Sequence, residues 1–144
     1  MKKENTAAIA RRMAYQFWGE IQAQKKLAPG IWWYTTAGHG GIVVDIRERP
    51  ELAEYQHTVY YGRDQRWYIE SEQHFAAFEE DCMAAIVEWQ YPEVWKKVYQ
   101  MFETEEPLME WAAKRQDLLK SSLARWNPEY LEKHPAPPME RFKI

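Results

Sequence analysis

Three glycines surround a histidine at Gly38-His39-Gly40-Gly41, the most distinctive short stretch of the chain. Glycine permits positive φ and lets a backbone or ligand approach closely. Backbone N–H groups in such a turn can form an anion-binding nest. An imidazole can carry a proton near neutral pH. The same residues also suit a tight inter-strand turn whose histidine only hydrogen-bonds its surroundings. The stretch is not a P-loop, because the terminal Lys-Ser/Thr pair is missing. It is not a dinucleotide fingerprint, because no helical pattern follows it.

Glu79-Glu80-Asp81-Cys82 is the second candidate. Phe75, Phe78, Cys82 and Ile86 recur at helical spacing. A helix there places Glu79 about 40° from Phe75, at the edge of the apolar face. Glu80 and Asp81 project further round, on opposite sides, as a solvated acidic face. Glu79 is therefore the carboxylate most able to lean into a partly buried site, where an acid needs a partner. Cys82, inside the stripe, reads as a small hydrophobe. A catalytic thiolate would need His39 beside it and an exposed sulfur. His57 and His74 show no ligand spacing, so no metal and no cofactor is expected. Trp32-Trp33-Tyr34 precedes the glycines, and strand alternation sends Trp33 to one face with Trp32 and Tyr34 on the other. An exposed indole beside a glycine-rich turn is a stacking platform, with a core role as the alternative. The candidate ligand-binding set is Gly38, His39, Gly40, Gly41, Glu79 and Trp33; no catalytic residue is assigned.

The elements that must position these residues follow from periodicity and punctuation. A helix is expected from Asn5 or Thr6, both good N-caps, to about Lys26, with Ile9, Met13, Phe17 and Ile21 inward and Pro29-Gly30 ending it. Residues 31–36 and 42–46 read as strands, and 57–61 with 66–70 as a hairpin around Gly62. A helix from Ser71 carries the stripe Phe75, Phe78, Cys82, Ile86 and Trp89 onto the sheet. Tyr91-Pro92 breaks it and Pro92 starts another. A further helix runs from about Glu105 to Trp126 with Leu108, Trp111, Ala112, Leu118, Leu119, Leu123 and Trp126 apolar. One more turn follows at 128–131. Grouped strands favour α+β: a small, mainly antiparallel sheet of three or four strands packed against several helices. A single domain is expected over 1–134, with an extended Pro-rich tail over 135–144.

Composition limits the function. The chain has 144 residues, a net charge of −3, one cysteine, eight Trp and nine Tyr. The charge argues against general nucleic-acid binding, which needs a basic footprint. Lone Cys82 cannot form an internal disulfide and suits the cytoplasm. No apolar run approaches the roughly 18 residues of a membrane span. The aromatic residues suit a core of large rings, or a ligand pocket or interface, and a homodimer is compatible with them.

Thr36-Ala37-Gly38-His39-Gly40-Gly41, then Phe78 before Glu79-Glu80-Asp81-Cys82 with Ala85 and Ile86 after it, then Tyr91-Pro92-Glu93, resembles an uncharacterised domain family of bacteria, plasmids and phages. Its pattern is T-x-G-H-G-G, E-E-D-C-x-x-A and P-E, and the resemblance covers roughly residues 32 to 95. It brings no established reaction. It implies a phage or mobile-element accessory protein, which would counter a host defence factor or sequester a nucleotide signal. A binding protein with a host protein or small nucleotide as partner is the first expectation. A small hydrolase or transferase with His39 and Glu79 as acid–base pair is the alternative.

Overall fold

The computed structural model describes residues 5–55, 74–80, 83–95 and 108–138. The chain divides into two units, Met1–Glu80 and Asp81–Ile144. The expected hairpin at 57–61 and 66–70 lies outside the described residues, as does Cys82.

In the first unit, helix α1 spans Thr6–Trp18. The Asn5 side chain accepts from the Ala8 N–H at 3.1 Å, satisfying one of the free donors of the first turn. Ile9, Ala10, Met13 and Ala14 form its buried stripe. The helix stops well before the expected Lys26. Gly19 takes φ 95°, and its N–H returns to the Tyr15 carbonyl. Ile21–Ala28 is strand β1 instead. This segment has little strand propensity of its own; its pairing with the next strand overrides the helical preference of Gln and Lys. Pro29-Gly30 is accordingly a hairpin turn rather than a helix stop. Gly30 has φ 76°, and Pro followed by Gly at that φ matches a type II turn.

Strand β2 is Ile31–Thr36, β3 is Gly40–Asp45 and β4 is Phe75–Glu79. The four strands run antiparallel in the order β1-β2-β3-β4. The α+β class with a small antiparallel sheet is thus observed, with β1 and β4 as members not expected from periodicity. The helix expected across Phe75 and Phe78 is a strand. β3 and β4 pair Ile42 with Phe78 and Asp45 with Phe75, so the two rings lie on opposite faces. Phe75 meets Trp32, with ring centroids 6.2 Å apart. Phe78 meets Tyr55 edge-on at 5.9 Å, Tyr55 ending the 3-10 turn Pro50–Tyr55. Both faces of β4 are buried. A strand buried on both faces reads as a continuous apolar run, and its period cannot be told from that of a buried helix.

In the second unit, α2 spans Ala84–Gln90 and Pro92 opens another helical turn, as expected. Helix α3 is Leu108–Trp126, with Ala112, Leu119 and Leu123 buried. Leu118 and Trp126, expected among its apolar residues, are 63% and 52% exposed. Helix α4 is Pro128–Lys133, and Tyr130 of α4 donates to Gln90 Oε1 at 2.8 Å. Arg115 of α3 grips Glu88 of α2 through Nε–Oε2 at 2.9 Å and Nη2–Oε1 at 3.2 Å. No helix among the described residues is long and apolar enough to cross a membrane.

Candidate functional site

Cross-strand register lines up one row of residues on the α1 side of the sheet. Gln24 of β1 pairs with Tyr34 of β2, Tyr34 with Gly41 of β3, and Gly41 with Glu79 of β4. Facing residues of neighbouring strands share a face, so these four lie side by side. Gly41 sits at the centre because nothing larger fits. A Cβ there would lie 2.2 Å from the Phe78 carbonyl oxygen and 2.7 Å from the Trp18 indole. The indole closing helix α1 therefore rests on the sheet between Tyr34 and Glu79. At the β1 end of the row, Arg11 Nη1 donates to Gln24 Oε1. Tyr34 is buried, and burial pushes its phenol pKa up from 10.0 to about 12, with the Arg11 charge pulling it down.

His39 stands at the other end. It belongs to the short connection between β2 and β3, which Thr36 clamps three times. The Thr36 N–H donates to the His39 carbonyl at 2.9 Å. The Thr36 hydroxyl donates to the same carbonyl at 2.7 Å, and the His39 N–H donates to the Thr36 hydroxyl oxygen at 3.1 Å. The imidazole is thereby presented at the sheet end, where Nδ1 lies 3.3 Å from Glu79 Oε1. Their side chains are 59% and 39% exposed. Such an exposed pair adds little to stability.

The expected meeting of His39 and Glu79 is therefore observed, but Glu79 arrives on a strand rather than a helix. Glu79 ends β4 opposite Gly41, and the Glu80 N–H donates to the Gly40 carbonyl at 2.9 Å. The glycines act differently from expectation. None of Gly38, Gly40 and Gly41 has positive φ; among the described residues only Gly19 and Gly30 do. Gly40 and Gly41 permit close approach, and the His39 N–H is already occupied by Thr36 rather than offered to an anion. Trp33 is not brought to this end. It pairs with Lys25 and Ile42 on the opposite sheet face from Glu79, 36% exposed. Thr36, Trp18 and Tyr34 are the residues that residue-type reasoning left out of the site. Only the Thr at the head of the glycine stretch carried a signal, since Ser and Thr hydroxyls bond to the backbone of nearby turn residues. His39 and Glu79 offer two donors to a cation, and among the described residues no group of three His, Cys, Asp or Glu is placed to hold a metal ion.

An antiparallel sheet, of four strands among the described residues, carrying an imidazole–carboxylate pair at one end is the class of protein this geometry defines. The family model described as a domain of unknown function, DUF7007, matches residues 11–141, and the chain belongs to that family. No curated protein and no solved structure matches the chain significantly.

Proposed function

We propose that this is a binding protein, encoded by a phage or other mobile element and acting in the host cytoplasm. Its His39–Glu79 end engages a host defence protein or a small nucleotide signal. The observation that carries the reading is the half-exposed imidazole–carboxylate contact of 3.3 Å, held on a turn that Thr36 clamps. A rigid turn presenting a donor beside an acceptor loses little freedom when it binds. The Thr36 hydroxyl is engaged with the backbone of His39, which holds the turn in one conformation and supports the binding reading. The family pattern read from the glycine and acidic stretches supports the mobile-element setting by analogy.

The same contact favours one second reading, a small hydrolase or transferase in which His39 and Glu79 exchange protons with substrate. One experiment separates the two. The protein is incubated with host extract, recovered and denatured, and the released molecules are weighed by mass spectrometry. Binding predicts an intact small molecule or a stably retained host protein. His39→Ala and Glu79→Gln should each weaken that retention by about 1–3 kcal/mol with the fold unchanged. Turnover of a component of the extract that disappears in His39→Ala would establish the hydrolase reading instead.

A further inference from the structure

The two ring nitrogens of His39 stand in different surroundings. Nδ1 faces Glu79 Oε1 at 3.3 Å, so Glu79 engages one edge of the imidazole and leaves the edge with Nε2 outside that contact. A neutral imidazole has one N–H and one lone pair, and its neighbours decide which nitrogen holds the proton. A lone pair on Nδ1 would face the charge of the carboxylate and be repelled, whereas an N–H there is attracted. The proton therefore belongs on Nδ1, and Nε2 carries the lone pair. A second carboxylate borders the same turn. Glu80 is exposed, and its Oε2 lies 3.1 Å from where a Cβ on Gly40 would stand. An anion approaching this end of the sheet meets the field of both carboxylates.

We propose that Nε2 of neutral His39 is the atom that meets the ligand, as a hydrogen-bond acceptor, and that Glu79 is a positioning residue acting through the imidazole. The group received is an uncharged hydroxyl donor, of the kind a ribose or a serine side chain carries. A phosphate oxygen does not fit, because it needs a donor where Nε2 offers a lone pair, and because Glu79 and Glu80 repel it. The ligand contact rests on the binding reading above; the place of the proton does not.

The test is long-range proton–nitrogen correlation of the histidine rings in the isotope-labelled full chain. The chain has four histidines, and the signal missing from His39→Gln identifies His39. At about pH 8.5, where an ordinary imidazole is neutral, His39 should show a pyrrole-type Nδ1 and a pyridine-type Nε2. Glu79→Ala should shift the majority to the opposite tautomer while the thermal melt stays nearly unchanged. A pyrrole-type Nε2 in the wild type overturns the proton assignment. Ring signals that stay in place in Glu79→Ala overturn the positioning role. Should Glu79→Ala fail to fold, Glu79→Gln replaces it: its amide carries no charge, so the share of Nδ1–H should fall, and an unchanged share sinks the role. The wild type is then titrated with adenosine, with N-acetylserinamide and with inorganic phosphate, each to about 10 mM. A hydroxyl-bearing probe should move the His39 Nε2 signal saturably. Movement by adenosine points to a small-molecule ligand, and movement by the serine amide to a protein partner. Phosphate moving that signal more than either, or neither hydroxyl probe moving it, overturns the ligand class. Retention of a host component, measured as above, tests the binding reading separately from all of these outcomes.

Discussion

Gly38 and Gly41 flank the same histidine yet face different constraints. A Cβ on Gly38 meets nothing within 4 Å, and its φ is not positive. A Cβ on Gly41 would stand 2.2 Å from a carbonyl oxygen of the neighbouring strand, which cannot turn aside as a flexible side chain could. Gly38→Ala should therefore change unfolding stability by no more than about 0.5 kcal/mol. Gly41→Ala should cost about 2–4 kcal/mol, because either the β3–β4 pairing or the Trp18 ring must shift. Urea denaturation of the two variants checks the contrast, and equal stabilities would show that the Trp18 contact is dispensable. At His39 and Glu79 the pair is exposed enough for its loss to cost little in folding.

Between elements, a polar clasp ties α2 to α3 in the second unit. Glu88 is almost fully buried on α2, and its carboxylate is matched by the forked guanidinium of Arg115 on α3. A forked contact fixes the orientation of both helices as well as their separation. Arg115→Ala removes the forked partner of a nearly buried carboxylate whose Arg115 side is 40% exposed, and should destabilise the unit by about 1–3 kcal/mol. Glu88→Leu combined with Arg115→Leu removes both charges and should recover most of that loss, since an apolar pair of similar volume has no charge to desolvate. Thermal melts of the single and double variants decide this, and a double variant as unstable as Arg115→Ala would mean that the two residues act separately. In the first unit, β1 shows how an edge strand is kept from pairing with others. It carries Lys25 and Lys26 and has register irregularities between Ile21 and Ala23 and between Lys26 and Ala28. Charge and irregularity on an edge both discourage another strand from adding to it.

For the whole molecule, pH dependence at the alkaline end follows from Tyr34. Its phenol is neutral in the folded protein, with a pKa raised by burial to about 12 against an ordinary 10.0. Deprotonation is easier in the unfolded chain, so the stabilisation is complete below pH 10.0 and is lost as pH climbs through about 12. The loss should reach roughly 2–3 kcal/mol. Tyr34→Phe has no proton to lose there and should show a flatter stability profile over the same window. Chemical unfolding at stepped pH from 9 to 12, on the order of one unit per step, compares the two. Parallel profiles would mean that Tyr34 does not carry the effect.

Local chemistry alone determined a good part of this protein. A cap for α1 at Asn5 or Thr6, of which Asn5 serves, the strand at Ile31–Thr36, the break at Tyr91-Pro92 and the end of α3 at Trp126 were all legible, because caps, β-branched runs and prolines act within a few residues of themselves. So was the partnership of His39 with Glu79, inferred from two unusual stretches and an acid in need of a neighbour. Only the tertiary structure decided that Ile21–Ala28 and Phe75–Glu79 are strands. The first is a polar edge whose conformation comes from hydrogen bonds to β2, and no periodicity within the segment announces them. The second is buried on both faces, so its apolar spacing fits a helix as well as a strand until β3 supplies the pairing partner. The same pairing put Trp33 on the far side of the sheet and Trp18 over Gly41, because which residues share a face depends on register between strands distant in the chain.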